Sequence, residues 1–554
     1  MPPTNAEIAE LLRQHADLME IGGENIFRVN AYRKAADAVH AHDRPLASEA
    51  DLTDLPGVGA GIAAALREII DTGHYAPFDA LQEELPGSLL TLLDVPGIGA
   101  KSAARLYREL KIASLTDLEQ AVQSGRLRSL KGMGPAAVQR IAEGLAFLQR
   151  KSGRLSIGTA LPLAERLAAR LAEQTGGPVQ ITGSVRRMCV TVGNIDLLAV
   201  GADTNALLNA AAALPDVARL LERSGDSATF ELHQGVMLRV RATRPESAGL
   251  ALIELTGSAA HLAQLGELPV TANEERCYAA LGLDWIAPEL REDCGEVEAA
   301  RAHSLPRLIE LADLRGDLHV HSHWSDGSST PLEMAKAAAA RGYLYLAITD
   351  HSGSLGVANG LKPDRLAEQR RALDALAGEA PVRLLAGSEV EVQRDGRLDF
   401  DDDILAGLEI VVAALHSGLR QSREEFTERL LRTIRNPHVD IIAHPTGRLV
   451  ERRQGADIDW PRVYVAATET ATVLEINSDP ARLDMDDIHA REAARVGALL
   501  SIDSDAHHPD GLATVRYGIG VARRAWLEPR QVVNTWPLEN VLAWLRERKL
   551  STQC

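Results

Sequence analysis

DLHVHSHWSDG, residues 317–327, sets His319 and His321 two apart at the end of a short apolar run, with Asp326 close behind. Alternate residues of a strand face the same way, so at its C-terminal end both imidazoles reach one point. The pattern recurs along the chain. YLAITDH (345–351) ends at His351, VRLLAGSE (382–389) at Glu389, EIVVAALH (409–416) at His416 and VDIIAH (439–444) at His444. LLSIDSDAH (499–507) supplies Asp505 and His507. Between these runs lie helical stretches, and such alternation predicts parallel βα units. A barrel of such units brings its strand C-termini to one mouth, where enzymes of that architecture keep their active sites. A lone histidine near a strand end is commonly a hydrogen-bonded loop residue. Nine nitrogen and oxygen donors on consecutive strand ends, with no thiolate, predict two or three Mn²⁺, Zn²⁺ or Fe ions instead.

Upstream, residues 5–150 read as helix after helix, and one pattern occurs three times: LPGVGAGIAAALREI (55–69), VPGIGAKSAARLYREL (95–110) and LKGMGPAAVQRIAEGL (130–145). Each has an apolar residue, a G-x-G turn and an amphipathic helix. The glycines turn the backbone sharply and present helix N-terminal amides, which hold phosphate without a basic side chain. One copy would read as a glycine-capped helical hairpin. Three copies predict contact with a DNA backbone through Gly57, Gly59, Gly97, Gly99, Lys101, Lys131, Gly132 and Gly134. Between 179 and 243 the texture turns strand-like, and a helical connector follows at about 300–315.

The 554 residues exceed what one core organises. Composition is ordinary for a globular chain: 45% hydrophobic, 25% charged. The net charge of −18, from 59 basic and 77 acidic residues, argues against a generic polyanion binder. It leaves local grips open: residues 81–150 hold 9 basic and 7 acidic residues, against 6 and 13 in 1–80. The four cysteines form no CxxC pair, the N-terminal stretch is interrupted by charge, and no apolar run spans a bilayer. A soluble, cytoplasmic protein with no membrane partner is expected.

Residues 315–554 resemble the PHP (polymerase and histidinol phosphatase) domain, a phosphoesterase on a distorted (β/α)7 barrel with a trinuclear metal site. The resemblance assigns as ligands His319, His321, Asp326, His351, Glu389, His416, His444, Asp505 and His507. Asp350 is a further catalytic candidate, and Arg448 (in HPTGR) or Arg482 is the expected phosphate partner. Over the whole chain, three helix-hairpin-helix segments, GSVRR at 183–187, NID at 194–196 and TGS at 256–258 resemble bacterial family X DNA polymerases. That resemblance implies a multidomain protein: an all-α region at 1–88 (lyase-like) and 89–150 (fingers-like), an α+β nucleotidyltransferase-like palm at 151–258, a short thumb-like segment and linker at 259–314, and the PHP barrel.

The palm departs from the family. Nucleotidyl transfer uses three carboxylates, of which two alternate on one strand; here that pair is Asn194 and Asp196, and the third position is Met237. Glu231, if it lay on Met237's own strand, would be about 20 Å away. Gly183, Ser184, Arg187, Asn194 and Asp196 are therefore expected to form a degenerate nucleotide site that does not hold Mg²⁺ well. The lyase lysine position is Ala65, with Gly61 at the neighbouring phosphate-binding position. The expected function is a repair enzyme that hydrolyses DNA from gapped, nicked or 3′ ends, as a 3′–5′ exonuclease or phosphoesterase, with polymerase activity lost or much weakened. A gap-filling DNA polymerase and a non-enzymatic DNA-end scaffold are the alternatives.

Overall fold

The computed structural model describes residues 3, 5–40, 42, 46–49, 51–93, 95, 97–130, 133–151, 153–355 and 358–550. It divides into two compact units, Met1–Ser152 and Gly153–Cys554. No described helix is long and apolar enough to cross a membrane.

The regular elements of the first unit are all helices among the described residues, and one apolar core runs from Ile8 to Leu145 across both stretches that the sequence separates at residue 88. Its hairpin turns form as their glycines require: Gly57 (φ +78°) and Gly97 (φ +99°) take left-handed backbone. The apolar residue of each turn, Val58 or Ile98, is buried. Gly59 and Gly99 then cap helices Ala60–Thr72 and Ala100–Leu110, with Lys101 exposed on the second. Gly134 stands ahead of Pro135–Lys151, while Lys131 and Gly132 lie outside the described residues. Ala65 is buried in the core, so that position offers no nucleophile to solvent.

The second unit holds two main sheets. In the seven-stranded one, described strands Gly316–Val320, Tyr345–Ile348, Arg383–Glu391, Ile410–Ala414, Ile441–Ile442, Val473–Asn477 and Leu500–Asp503 pair in chain order, all parallel. Helices cover the outside and the strands are buried on both faces, which explains their continuous apolar runs. Capping boxes at Thr330–Glu333 and Ser422–Glu425 start two of these helices where the chain leaves the mouth. The first and last strands are joined at their ends and through a buried acid: Val320 bridges to Ala506, Asp505 N donates to His319 O at 3.1 Å, and Leu318 N donates to Asp503 Oδ1 at 2.8 Å. The barrel is thus nearly closed, and its seam lies at the ligand-bearing residues.

In the other sheet the order is Val179–Thr182, Asn194–Val200, Met237–Thr243, Ser227–Leu232 and Val217–Ser224. Helices Ile157–Thr175 and Thr204–Ala212 pack on one face. Residues 259–314 make their own small core around Cys277, Tyr278 and Ile286. It is clamped by Glu274, which accepts from Arg186 (2.8 Å, both oxygens) and from the fully buried Arg291 (2.6 Å).

Helix Val515–Arg524 is the plate between the two sheets' domains. A methyl group on Gly518 would strike Ser478 Oγ at 2.1 Å, and one on Gly520 would strike Met188 Cε at 2.7 Å. Only hydrogen fits at either place. Arg524 at the helix end bonds Arg187 O (3.2 Å), Glu292 (2.7 Å) and Asp487 (2.9 Å), and Arg523 bonds Glu289 (2.7 Å). Nearby, a methyl on Gly158 would fall 2.4 Å from Pro480 Cβ, two residues before Arg482.

Candidate metal centre

Strand alternation delivers His319 and His321 to the mouth as the sequence predicts. Their Nε2 atoms stand 3.2 Å apart, and His321 Nε2 is 3.0 Å from Asp505 Oδ1. Glu389 is the hub. Its Oε2 lies 2.6 Å from His351 Nδ1 and 3.6 Å from both His319 and His321 Nε2; its Oε1 lies 3.1 Å from His444 Nε2 and 3.5 Å from His416 Nε2. Asp326 joins from the loop after the first strand, 3.4 Å from His507 Nε2 and 3.5 Å from His351 Nε2. Three groups able to hold a metal ion result: His321, Asp326, His351 and His507; His319, His321 and Glu389; and Glu389, His416 and His444. In each, the donor atoms lie within 4.8 Å of one another. His321 and Glu389 belong to two groups each, the arrangement of a cluster with bridging positions.

The residues fit cations. His321 Nδ1 and His444 Nδ1 are buried polar atoms without a hydrogen-bond partner, which a protein interior rarely tolerates. Burial alone would raise the Glu389 and Asp505 carboxyls, yet the surrounding imidazoles hold both well below the ordinary range. His444 (φ +28°) and Asp505 (φ +55°) take left-handed backbone, a strain that collects at functional sites.

Supporting residues escape the sequence reading. Glu475 Oε1 accepts from His319 Nδ1 at 2.7 Å, Glu391 Oε2 from His416 Nδ1 at 2.8 Å, and the Asp505 carbonyl from His507 Nδ1 at 2.8 Å. Each contact fixes a tautomer and leaves Nε2 free to bind. Glu391 had a signal, two residues beyond Glu389 on the same strand face. Glu475, inside the apolar strand Val473–Asn477, had only its oddity as a buried acid.

Two catalytic expectations are corrected. Asp350 is fully buried and accepts from the amides and hydroxyls of Ser322 and Ser325 and from the Gln369 side chain. It faces away from the mouth and shapes the loop that carries Asp326. Arg448 is spent on the Arg482 and Leu483 carbonyls and on Asp486 at 3.5 Å. Arg482, by contrast, lies at the site, its Nε 3.8 Å from Asp505 Oδ2.

The palm site is also rearranged. Arg187 does not reach toward a nucleotide; it bonds Glu292 (2.8 Å) and the Thr256 carbonyl (2.7 Å), because the 289–292 segment packs against its loop. Asp196 receives the Asn194 amide and faces Arg239 at 4.0 Å, and a methyl on Gly183 would lie 2.3 Å from its Oδ2. Burial raises the Asp196 carboxyl despite that arginine. Glu231 is not displaced along Met237's strand: a hairpin at Gly235 (φ +76°) sets it opposite Met237 on the next strand. It still stands two strands from Asn194, about 10 Å, and is paired with Arg219 at 2.5 Å. The three-carboxylate Mg²⁺ site does not fit these residues.

Parts of the chain match known protein families. Residues 3–75 match a helix-hairpin-helix domain, 48–111 and 89–146 a SAM-like helix-hairpin-helix tandem, and 317–475 the PHP domain. The DNA polymerase/3′-5′ exonuclease PolX of Bacillus subtilis (strain 168) is 36% identical over 568 aligned positions, covering 98% of this chain and 99% of that protein. A probable phosphatase of Syntrophotalea carbinolica is 30% identical, covering 41% of this chain and 95% of its own. One from Thermoanaerobacter sp. (strain X514) is 27% identical over 42% and 95%. With its helix-hairpin-helix segments, its mixed helix-and-sheet middle and its PHP barrel, the chain belongs to the bacterial family X DNA polymerases that carry a PHP domain.

Proposed function

We propose that this protein is a metal-dependent phosphodiesterase that removes nucleotides from DNA 3′ ends, and that its palm has little or no polymerase activity. The observation that carries the reading is the contrast between the two sites. One assembles nine donors around the shared Glu389 and His321. The other retains a single carboxylate, Asp196, which receives the Asn194 amide and faces Arg239. The relative's double name, polymerase and exonuclease, fits the second half of that pair better here. The helix-hairpin-helix turns supply the DNA grip, through the glycines and Lys101 named above. Mn²⁺, Zn²⁺ or Fe suits the all-nitrogen-and-oxygen donor set. The three described free cysteines suit the reducing cytoplasm.

When bound, divalent cations supply an acidified water and neutralise phosphate charge. The chain's own residues do the rest. Glu475 and Glu391 hold two imidazoles in register, Glu389 ties neighbouring ligand groups together, and Arg482 orients a phosphate oxygen at the rim.

The test uses full-length protein of measured metal content, Mn²⁺ and a 3′-labelled gapped duplex. Degradation is expected in wild type and in Asp196→Ala, and its loss in the His319→Ala/His321→Ala variant. Degradation that survives the histidine pair, or wild-type primer extension rivalling hydrolysis, refutes the assignment.

A further inference from the structure

A buried metal centre needs a route for its polymer, and the mouth of the barrel is built asymmetrically around one. The loops that follow the third to sixth barrel strands touch in sequence. The Arg394 side chain lies over Gly418, where a methyl group would meet its Cγ at 3.3 Å, and Leu419 lies over Gly447, where one would meet its Cδ2 at 2.8 Å. Val450 N donates to Ala481 O at 2.7 Å. The first two loops are further stapled by the buried Arg429, which donates to the Ser417 carbonyl at 2.7 Å and to that of Val392.

This platform carries Arg394, Arg420 and Arg452, each exposed and each without a carboxylate within 4.0 Å among the described residues. Exposed arginines without a carboxylate partner also occur on the barrel's outer helices, Arg370, Arg371 and Arg495 among them; what sets these three apart is their place on loops at the mouth. Of the acids flanking Arg482 in sequence, Asp479 accepts the Ala481 amide at its carboxylate and Asp484 accepts the amide and hydroxyl of Thr446. Every loop in the arc leaves a strand whose end bears a residue of the centre: Glu389, His416, His444 and Asn477, the last bonding Asp505 at 3.1 Å. Charges on successive loops suit a chain of phosphates rather than one small anion, and a chain reaching deeply buried ligands must be single-stranded there.

We propose that Arg394, Arg420 and Arg452 form a track for the phosphates of one DNA strand, leading past Arg482 to the metal centre. The track rests on the phosphodiesterase reading, and it recognises backbone, not base.

The test compares full-length wild type with the Arg394→Ala/Arg420→Ala/Arg452→Ala variant. Binding of an oligothymidylate is measured in chelator across a salt series, and hydrolysis of bis(p-nitrophenyl) phosphate, too small to use the track, is measured with Mn²⁺. Three lost contacts at about 0.7 each lower the slope of log K against log salt by about 2. Small-diester turnover and metal content stay at wild-type values. An unchanged slope overturns the track, and so does a loss of small-diester turnover in the triple variant. Arg420→Glu alone, which disturbs no packing, is expected to weaken oligothymidylate binding without changing small-diester turnover; unchanged binding refutes the proposal again. A flattened slope in a protein whose wild type hydrolyses no phosphodiester sinks the enzymatic reading and leaves the track standing. Wild-type hydrolysis with an unchanged slope does the reverse.

Discussion

Gly158→Ala tests whether the palm holds Arg482, the proposed phosphate partner, in place. The added methyl lands 2.4 Å from Pro480 Cβ and 2.9 Å from its Cγ. Carbons settle at about 3.5–4.0 Å, so the gap must open by about 1 Å. Helix Ile157–Thr175 cannot easily yield, because Ala160, Leu163, Ala164 and Leu167 anchor it in the core. The rigid proline ring must move, and Arg482 moves with it from its place 3.8 Å from Asp505. Overpacking costs about 1–3 kcal/mol, partly offset by the roughly 0.5–1 kcal/mol that alanine gains over glycine in a helix. The variant therefore folds. A displacement of about 1 Å at a positioning group reduces turnover by up to about 100-fold. The assay is kcat/KM on bis(p-nitrophenyl) phosphate with Mn²⁺, beside metal content and Tm. Adding Pro480→Gly removes the collision and is expected to restore most of the rate. Wild-type turnover in Gly158→Ala refutes the reasoning, as does a loss that Pro480→Gly leaves untouched.

Three further outcomes follow from buried groups. Glu475→Gln weakens the acceptor of His319 Nδ1 and is expected to lower Mn²⁺ affinity about 10–100-fold by titration calorimetry, with little change in fold. Glu274→Gln leaves Arg186 and the buried Arg291 uncompensated and is expected to cost about 3–5 kcal/mol in urea unfolding. In the first unit, burial among Tyr32, Tyr75 and Phe78, and secondarily the charge of Arg28, lower the His15 pKa from 6.5 to about 4. The unfolded chain then takes up its proton first, so stability is complete above about pH 6.5 and falls by about 3 kcal/mol as pH drops toward 4. His15→Leu is expected to flatten that slope, read from the tyrosine signal during denaturation at pH 7 and pH 4.5.

Much of the centre was legible because strand alternation is a rule about neighbours. His319 and His321 share a face whatever lies elsewhere in the chain. The same rule, applied to Asp350 beside His351, turns Asp350 away from the mouth, where its contacts with Ser322, Ser325 and Gln369 put it. Arg187 was not legible in this way. Its partner Glu292 lies 105 residues away, and no local pattern announces a long-range ion pair. Glu231 failed on a turn: His233-Gln234-Gly235 reverses the chain, which changes a separation along a strand into one across it. The palm's loss of carboxylates could be read residue by residue, whereas the contact of Gly158 with Pro480 needed two surfaces to meet.

Those surfaces bear on the history of the chain. Helix Val515–Arg524 meets Met188 through a bare backbone at Gly520, and Pro480 nests against another at Gly158. Substitutions at Asn194 or Met237 change what the palm can catalyse and leave these contours alone. Substitutions at the glycines would not. Drift could thus erase the palm's chemistry freely while its outline stayed under selection, and a barrel inherited without the palm would have to refill the groove at Gly520 to stand alone.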